Sequence, residues 1–246
     1  MQYITGRKPV LEALKSNKSR ISKVYLRYGM KGEVIDSIYA EAKKRGIKVT
    51  TLDAQRFDSE IKHKENQGAA ALIEETKIIE LSELIRSLKG KTNPLLLIAE
   101  GIQDPHNIGA IIRSSECAGV DGIIVTKHNS APLNETASKA SAGAINHQRI
   151  CQVVNLAQAM DELKKNGYWI VGTSMNGDDL YSKRDFNLPL AVVVGNEEKG
   201  IRKLTAESCD FLVRIPMKGK IQSLNVSVAT AITLFEIIRQ RNYNKI

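Results

Sequence analysis

From Leu95 onward the chain carries unbroken apolar runs separated by stretches of helical periodicity. The runs are Leu95-Leu96-Leu97-Ile98-Ala99, Ile123-Ile124-Val125, Trp169-Ile170-Val171 and Ala191-Val192-Val193-Val194. Strands covered on both faces of a parallel sheet read this way, because neither face alternates toward water. Between the runs, Ile108 to Cys117, Leu156 to Lys165 and Val226 to Arg239 repeat apolar residues at helical spacing. The pattern predicts a doubly wound α/β domain, whose ligands sit at loops leaving the carboxyl ends of the strands.

The first 75 residues follow a shorter rhythm. Pro9 heads a helix with Val10, Leu11 and Leu14 on one side. Lys23 to Leu26 predicts a strand, and Glu33 to Lys44 predicts a helix stopped by Gly46. Ile47 to Thr50 and Ala69 to Ile73 predict two more strands. Helix and strand in alternation imply a small sandwiched sheet over residues 1–75. Residues 76–92 are mostly polar, with a short amphipathic stretch at Leu81, Leu84, Ile85 and Leu88, and Lys89 to Pro94 breaks the pattern. This stretch is expected to be a linker, with a second domain over 93–246.

Composition narrows the class. The chain has 246 residues, 42% apolar and 26% charged. That is a globular balance, and no apolar run approaches the roughly 20 residues of a membrane span. The start, MQYITGRKPVLEALKSNK, lacks an apolar signal region. Cys117, Cys151 and Cys209 form no Cys-x-x-Cys pair, so neither a disulfide framework nor a zinc site is expected. The four histidines show no metal-ligand spacing. A reducing cytoplasm fits. The net charge is +9, and residues 1–75 carry 15 basic and 10 acidic residues. Residues 1–31 hold eight basic residues and one acid. The amino-terminal end is therefore a candidate surface for a polyanion, nucleic acid first.

The loops exclude several chemistries. No two of the 17 glycines are separated by a single residue, so the dinucleotide fingerprint is missing and a nicotinamide oxidoreductase is disfavoured. Gly195-Asn196-Glu197-Glu198-Lys199-Gly200 has the glycine spacing of a phosphate loop, but Ile201 follows and two acids lie inside it. Phosphate binding there would be electrostatically poor. No Gly-x-Ser-x-Gly elbow is present.

Three loops remain. The first runs from Glu100 to Arg113, as EGIQDPHNIGAIIR. Asp104 or His106 is placed to cap the helix that follows, with Asn107 in its first turn. Arg113 lies beside Ile111 and Ile112, and its plain alternative is a surface arginine with a snorkelling stem. The second loop is Val194 to Ile201. The third is Ile215-Pro216-Met217 followed by Ser223-Leu224-Asn225-Val226-Ser227, where Ser223 or Asn225 would cap the last helix.

Taken in order, the three loops resemble the motifs of the SpoU (TrmH) family of RNA 2′-O-methyltransferases, in the SPOUT class, across residues 95–241. Gly6-Arg7-Lys8-Pro9 and His63 with Gln67-Gly68 resemble the L30e-like substrate-binding domain that precedes the catalytic domain in many members. The likeness is nearest to enzymes that methylate a guanosine of 23S rRNA. It implies a trefoil-knotted parallel-sheet domain behind a small α/β domain, S-adenosylmethionine as cofactor, an RNA substrate and a homodimer. Knotted loops would then hold the cofactor, which accounts for the missing glycine fingerprint.

The resemblance places cofactor contacts at Thr173, Gly195, Ile215 and Leu224. It assigns activation of the ribose hydroxyl to Arg113. A guanidinium stays protonated up to pH ~12. Arg113 is therefore expected to stabilise developing negative charge, with or without proton transfer. Asn107, Glu197, Ser223 and Asn225 are expected to orient Arg113, the ribose or the cofactor, with Glu197 pairing Arg113. The competing readings are a tRNA or antibiotic-resistance rRNA methyltransferase, and a non-catalytic RNA-binding or ribosome-assembly protein.

Overall fold

The computed structural model describes residues 2–16, 21–61, 66–73, 78–221 and 223–242. His63 lies outside them. The chain divides into two compact units, Met1–Glu75 and Thr76–Ile246.

The first unit contains β1 (Gln2–Thr5), α1 (Arg7–Ser16), β2 (Ile21–Arg27), α2 (Glu33–Lys44), β3 (Lys48–Leu52), α3 (Ala54–Glu60) and β4 (Ala69–Ile73). The sheet order is β1-β4-β2-β3. Strand β4 runs antiparallel to β1 and β2, and β2 runs parallel to β3. Alternation along β2 explains the sandwich: Val24 and Leu26 pack with Val10, Leu14, Ile35 and Ile38 of α1 and α2, whereas Tyr25 packs with Phe57 of α3. Helix α2 ends at Gly46, whose φ of 64° lets Ile47 N donate to Ala42 O at 2.8 Å. Strand β1 and helix α3 carry no strong periodic signal. Helix α3 buries only Phe57, and Asp53 caps it by accepting from Arg56 N at 2.8 Å.

The second unit contains β5 (Ile78–Ile79), α4 (Leu81–Ser87), β6 (Leu95–Ala99), α5 (Pro105–Cys117), β7 (Gly122–Thr126), α6 (Glu135–Ala140), β8 (Ile150–Val153) and α7 (Leu156–Lys165). It continues with β9 (Trp169–Thr173), β10 (Asp179–Leu180), β11 (Leu190–Val194), α8 (Lys203–Glu207), β12 (Phe211–Arg214) and α9 (Val226–Asn242). Its eight strands pair in the order β10-β12-β9-β11-β6-β7-β8-β5, every pair parallel. The apolar runs have the expected cause. Leu95, Leu97 and Ala99 of β6 enter one core with Ile111 and Ile112 of α5 and Leu234 of α9. Leu96 and Ile98 enter the opposite core with Leu84 of α4 and Met160 of α7. Among the described residues, no helix is long and apolar enough to cross a membrane.

Residues 76–92 were expected to be a linker, and 78–88 are instead part of the second unit. Strand β5 pairs with β8, and Leu81, Leu84, Ile85 and Leu88 are buried against the sheet. Leu84 sits so close to Gly122 that a Cβ there would lie 2.5 Å from its Cδ1. The four apolar residues are one short helix face, too small to outweigh a polar average along the sequence.

Candidate active site

Strands β12, β9 and β11 are neighbours in the sheet and end on the same side. Thr173 closes β9, Gly195 follows β11 and Ile215 follows β12. Together with Leu224 they line a cavity of about 300 Å³. All four residues expected to hold a cofactor thus meet in one pocket, which also takes in Glu197 and Ser223. The volume lies at the lower end of small-molecule sites. Thr173 Oγ donates to Val193 O at 3.2 Å, tying its strand end to β11. Ile215, Met217, Leu224 and Val226 supply apolar walls.

The loop after β11 is closed on itself. Asn196 N donates to Gly200 O at 3.0 Å and Gly200 N returns to Asn196 O at 2.8 Å. A Cβ on Gly195 would collide with the backbone of Gly200 and Ile201, so only glycine permits this fold-back. The close approach is made by the chain itself. Asn196 Oδ1 accepts from Glu198 N at 2.9 Å and Lys199 N at 3.2 Å, which holds the turn.

Asn107, Glu197 and Asn225 join the three loops through side chains. Asn107 Nδ2 donates to Glu197 Oε1 at 2.6 Å, and Asn225 Nδ2 donates to Asn107 Oδ1 at 3.0 Å. Asn196 Nδ2 donates to Glu197 Oε2 at 3.3 Å and to Gly101 O at 3.1 Å. Local structure positions each member. Asp104 caps α5 by accepting from His106 N at 2.8 Å, which fixes Asn107 in the first turn. Asn225 is the residue before α9, and its Oδ1 accepts from Ser227 N at 2.9 Å. Ser223 is exposed at the pocket.

Two residues matter that sequence reasoning left unassigned. Asn196 ties its own loop to Glu197 and Gly101. Glu100 is buried at the end of β6, where its carboxylate accepts from Thr205 Oγ at 2.7 Å and Arg202 N at 3.0 Å. It anchors the start of α8 and hence the exit of the Gly195–Ile201 loop. An acid directly after an all-apolar strand was the available signal.

Glu197 does not pair with Arg113. Arg113 is exposed, and among the described residues it makes no hydrogen bond or ion pair. Six residues separate it from Asn107, about 9 Å along α5 and about 120° around it. Asn107 and Arg113 therefore face different directions, and the carboxylate of Glu197 is taken by two amides.

A thiol nucleophile is not part of this site. Burial pushes the Cys209 thiol up to about 12, outweighing the opposing pull of Lys164, and its Sγ donates to Thr205 O at 3.2 Å.

A parallel α/β sheet with a loop-built pocket at the carboxyl ends of neighbouring strands defines a small-molecule-binding protein of the open-sheet class. The comparisons with known proteins are specific. Residues 94–235 match the SpoU rRNA Methylase family, and residues 3–78 match a domain described as RNA 2′-O ribose methyltransferase substrate binding. The chain belongs to the SpoU rRNA methylase family. A Staphylococcus haemolyticus protein assigned to the TrmH family of tRNA/rRNA methyltransferases is 37% identical over 240 residues, covering 97% of this chain and 96% of that one. The SpoU methyltransferase AviRb of Streptomyces viridochromogenes, solved with AdoMet, shares the fold at TM-score 0.69 and 21% identity, covering 98% of this chain and 90% of that one. The A. aeolicus TrmH/SpoU tRNA modifying enzyme superposes at TM-score 0.57 and 33% identity over 67% of this chain and 83% of its own.

Proposed function

We propose that this protein is an S-adenosylmethionine-dependent RNA ribose 2′-O-methyltransferase acting on rRNA, with a guanosine of 23S rRNA as target. The observation that carries the reading is the convergence of Thr173, Gly195, Ile215 and Leu224 on one cavity whose rim is cross-tied by Asn107, Glu197 and Asn225. The family description names rRNA, and the match over residues 3–78 names 2′-O ribose methyl transfer. A tRNA substrate is the second reading, because the relatives' family description covers both RNAs.

The cavity fits the cofactor. Its apolar walls suit an adenine, and its folded-back loops offer backbone amides and carbonyls in place of a glycine-rich helix terminus. Thr173, Gly195, Ile215 and Leu224 would hold it. When bound, S-adenosylmethionine supplies an electrophilic methyl on a sulfonium. The family's knotted threading of the C-terminal segment would bring the third loop against the second, the two loops that Asn107 bridges.

The residues of this chain do the rest. A 2′-hydroxyl is a weak nucleophile and sheds its proton in or before the transition state. Arg113 stabilises the negative charge that develops on that oxygen. Its guanidinium, exposed and without a partner among the described residues, is free to meet ribose and phosphate. Glu197, held by Asn107 and Asn196, keeps the loop around the cofactor in one shape, and Ser223 and Asn225 orient the ribose. That Arg113 faces away from its own Asn107 supports a site completed by a second copy of the chain. Val228 and Phe235, exposed on α9, suit that homodimer contact. On this reading the protein works in the cytoplasm.

Calorimetric titration with S-adenosylmethionine tests the reading. Saturable binding is expected. Folded protein that takes up none overturns it. Ribose-methylation mapping of total RNA from cells with and without the gene then identifies the nucleotide.

A further inference from the structure

The first unit carries a feature that the cofactor pocket does not explain. Tyr28 follows β2 and is 79% exposed. Isolated exposed side chains are common, so exposure alone means little. The setting of this ring is what counts.

The loop that presents Tyr28 is fastened from three sides. Tyr28 N donates to Leu52 O at 2.6 Å, and Arg27 N donates to Gly68 O at 2.9 Å. Met30 is seated on Gly68, where a Cβ would lie 3.0 Å from its Cε. Arg7 reaches across from α1: its Nε donates to Gln67 O at 3.0 Å and its Nη2 to Met30 Sδ at 3.7 Å. Gly29 and Gly32, with φ of 82° and 123°, let the chain turn sharply on either side of Met30. The loop is thus built, and Tyr28 is the side chain it leaves uncovered. Among the described residues its hydroxyl has no hydrogen-bond partner.

The loop's own charges are basic, and Asp53, one residue past Leu52, is engaged as the cap of α3. Arg27 and Lys31 flank Tyr28 in sequence, Arg7 reaches the loop through Met30, and Glu12 is the only acid in residues 1–32. Cations beside a fixed, open aromatic face are what an unpaired nucleotide needs: phosphates meet the cations and the base stacks on the ring. A duplex hides its base faces, so the same surface has no use for the ring there.

We propose that Tyr28 is a stacking platform for an unpaired base of the RNA substrate, with Arg27 and Lys31 holding the flanking phosphates. The inference rests on an RNA substrate for this protein and adds that the first unit reads a single-stranded segment. The test is fluorescence anisotropy of the full-length protein with a labelled 12-nucleotide single-stranded RNA of mixed sequence and with the same strand in a duplex. Tyr28→Ala is expected to weaken single-strand binding about tenfold, with the salt dependence of affinity unchanged. Tyr28→Phe is expected to keep wild-type affinity. The double variant Arg27→Ala/Lys31→Ala is expected to reduce the salt dependence. The far-ultraviolet circular dichroism spectrum and melting profile of Tyr28→Ala should equal those of wild type, which confirms an intact fold. Unchanged single-strand affinity in Tyr28→Ala overturns the proposal. So does equal binding of duplex and single strand, and so does wild-type protein that binds neither. Failure to bind S-adenosylmethionine would overturn the enzyme reading alone, because the anisotropy needs no cofactor.

Discussion

Asn107 and Glu197 lie 90 residues apart in the chain, and their side chains meet at 2.6 Å. Asn107 stands in the first turn of α5, beyond β6, and Glu197 stands in the loop beyond β11. Strands β6 and β11 are paired in register, Ala99 opposite Val194, so the two loops leave the sheet side by side. Parallel pairing is what turns distant residues into neighbours here.

That pairing is directional. Glu197 receives Asn107 Nδ2 on one oxygen and Asn196 Nδ2 on the other. In Glu197→Gln, either rotamer of the new amide sets a donor against a donor. A hydrogen bond to a charged group contributes about 1.5–3 kcal/mol. The expected result is at least a tenfold loss of S-adenosylmethionine affinity by calorimetry, with little change in helix content by circular dichroism. Wild-type affinity would mean that the loop holds its shape without the carboxylate.

Arg113 should behave in the opposite way. Its side chain is exposed and has no partner among the described residues, so Arg113→Ala should leave cofactor affinity and melting temperature near wild type while abolishing methyl transfer. Arg113→Lys should not restore turnover, because a compact ammonium cannot replace a planar fork of donors. Unchanged turnover in Arg113→Ala would refute the assigned role.

Gly195 offers a steric test. A Cβ at this position runs into the backbone of Gly200 and Ile201, and backbone cannot move aside as a flexible side chain can. Gly195→Ala should open the folded-back loop and remove measurable S-adenosylmethionine binding. The sheet should survive, since Gly195 lies beyond the last residue of β11. Retained binding would show that the loop has room to relax.

The cysteines should differ sharply in reactivity. Burial pushes the thiols of Cys151 and Cys209 each up to about 12. Cys117 is exposed on α5. A thiol-reactive chromogen at pH 8 should label one thiol per folded chain, and three after unfolding. The same shifts fix a sign for alkaline stability. An unfolded chain loses these protons near pH 9, whereas the folded chain keeps them to about 12. Stability is therefore present in full below pH 9 and declines as the pH rises from there toward 12. A melting temperature that rises across that window would contradict the burial of both thiols.

Much of the second unit could be read without coordinates. Residues such as Leu96 and Leu97 face opposite cores, and only a strand covered on both sides keeps every position apolar. Helix α2 was legible to its last residue because its apolar face and its terminating Gly46 agree. Elements α4, α3 and β1 were less legible. They are short, and each joins a core through a few side chains whose environment comes from elsewhere. Leu84 shows this: it is buried because Gly122 leaves space for it, and nothing near Leu84 in sequence announces that.

The candidate site divides in the same way. Its residue types were readable, since an asparagine before a helix, a glycine after a buried strand and an acid inside a loop have local reasons. By itself the sequence determined the α/β class, the basic amino-terminal end and the three loops that build the candidate site. Those follow from periodicity, charge and ordered motifs, which are properties of neighbours along a chain. Only the tertiary structure decided which side chains meet. It gave Glu197 to Asn107 and Asn196 and not to Arg113, folded residues 78–88 into the second unit, and buried Glu100 beneath the pocket loop. These outcomes depend on strand order and helix rotation, which bring together atoms about a hundred residues apart, and no local pattern encodes that proximity.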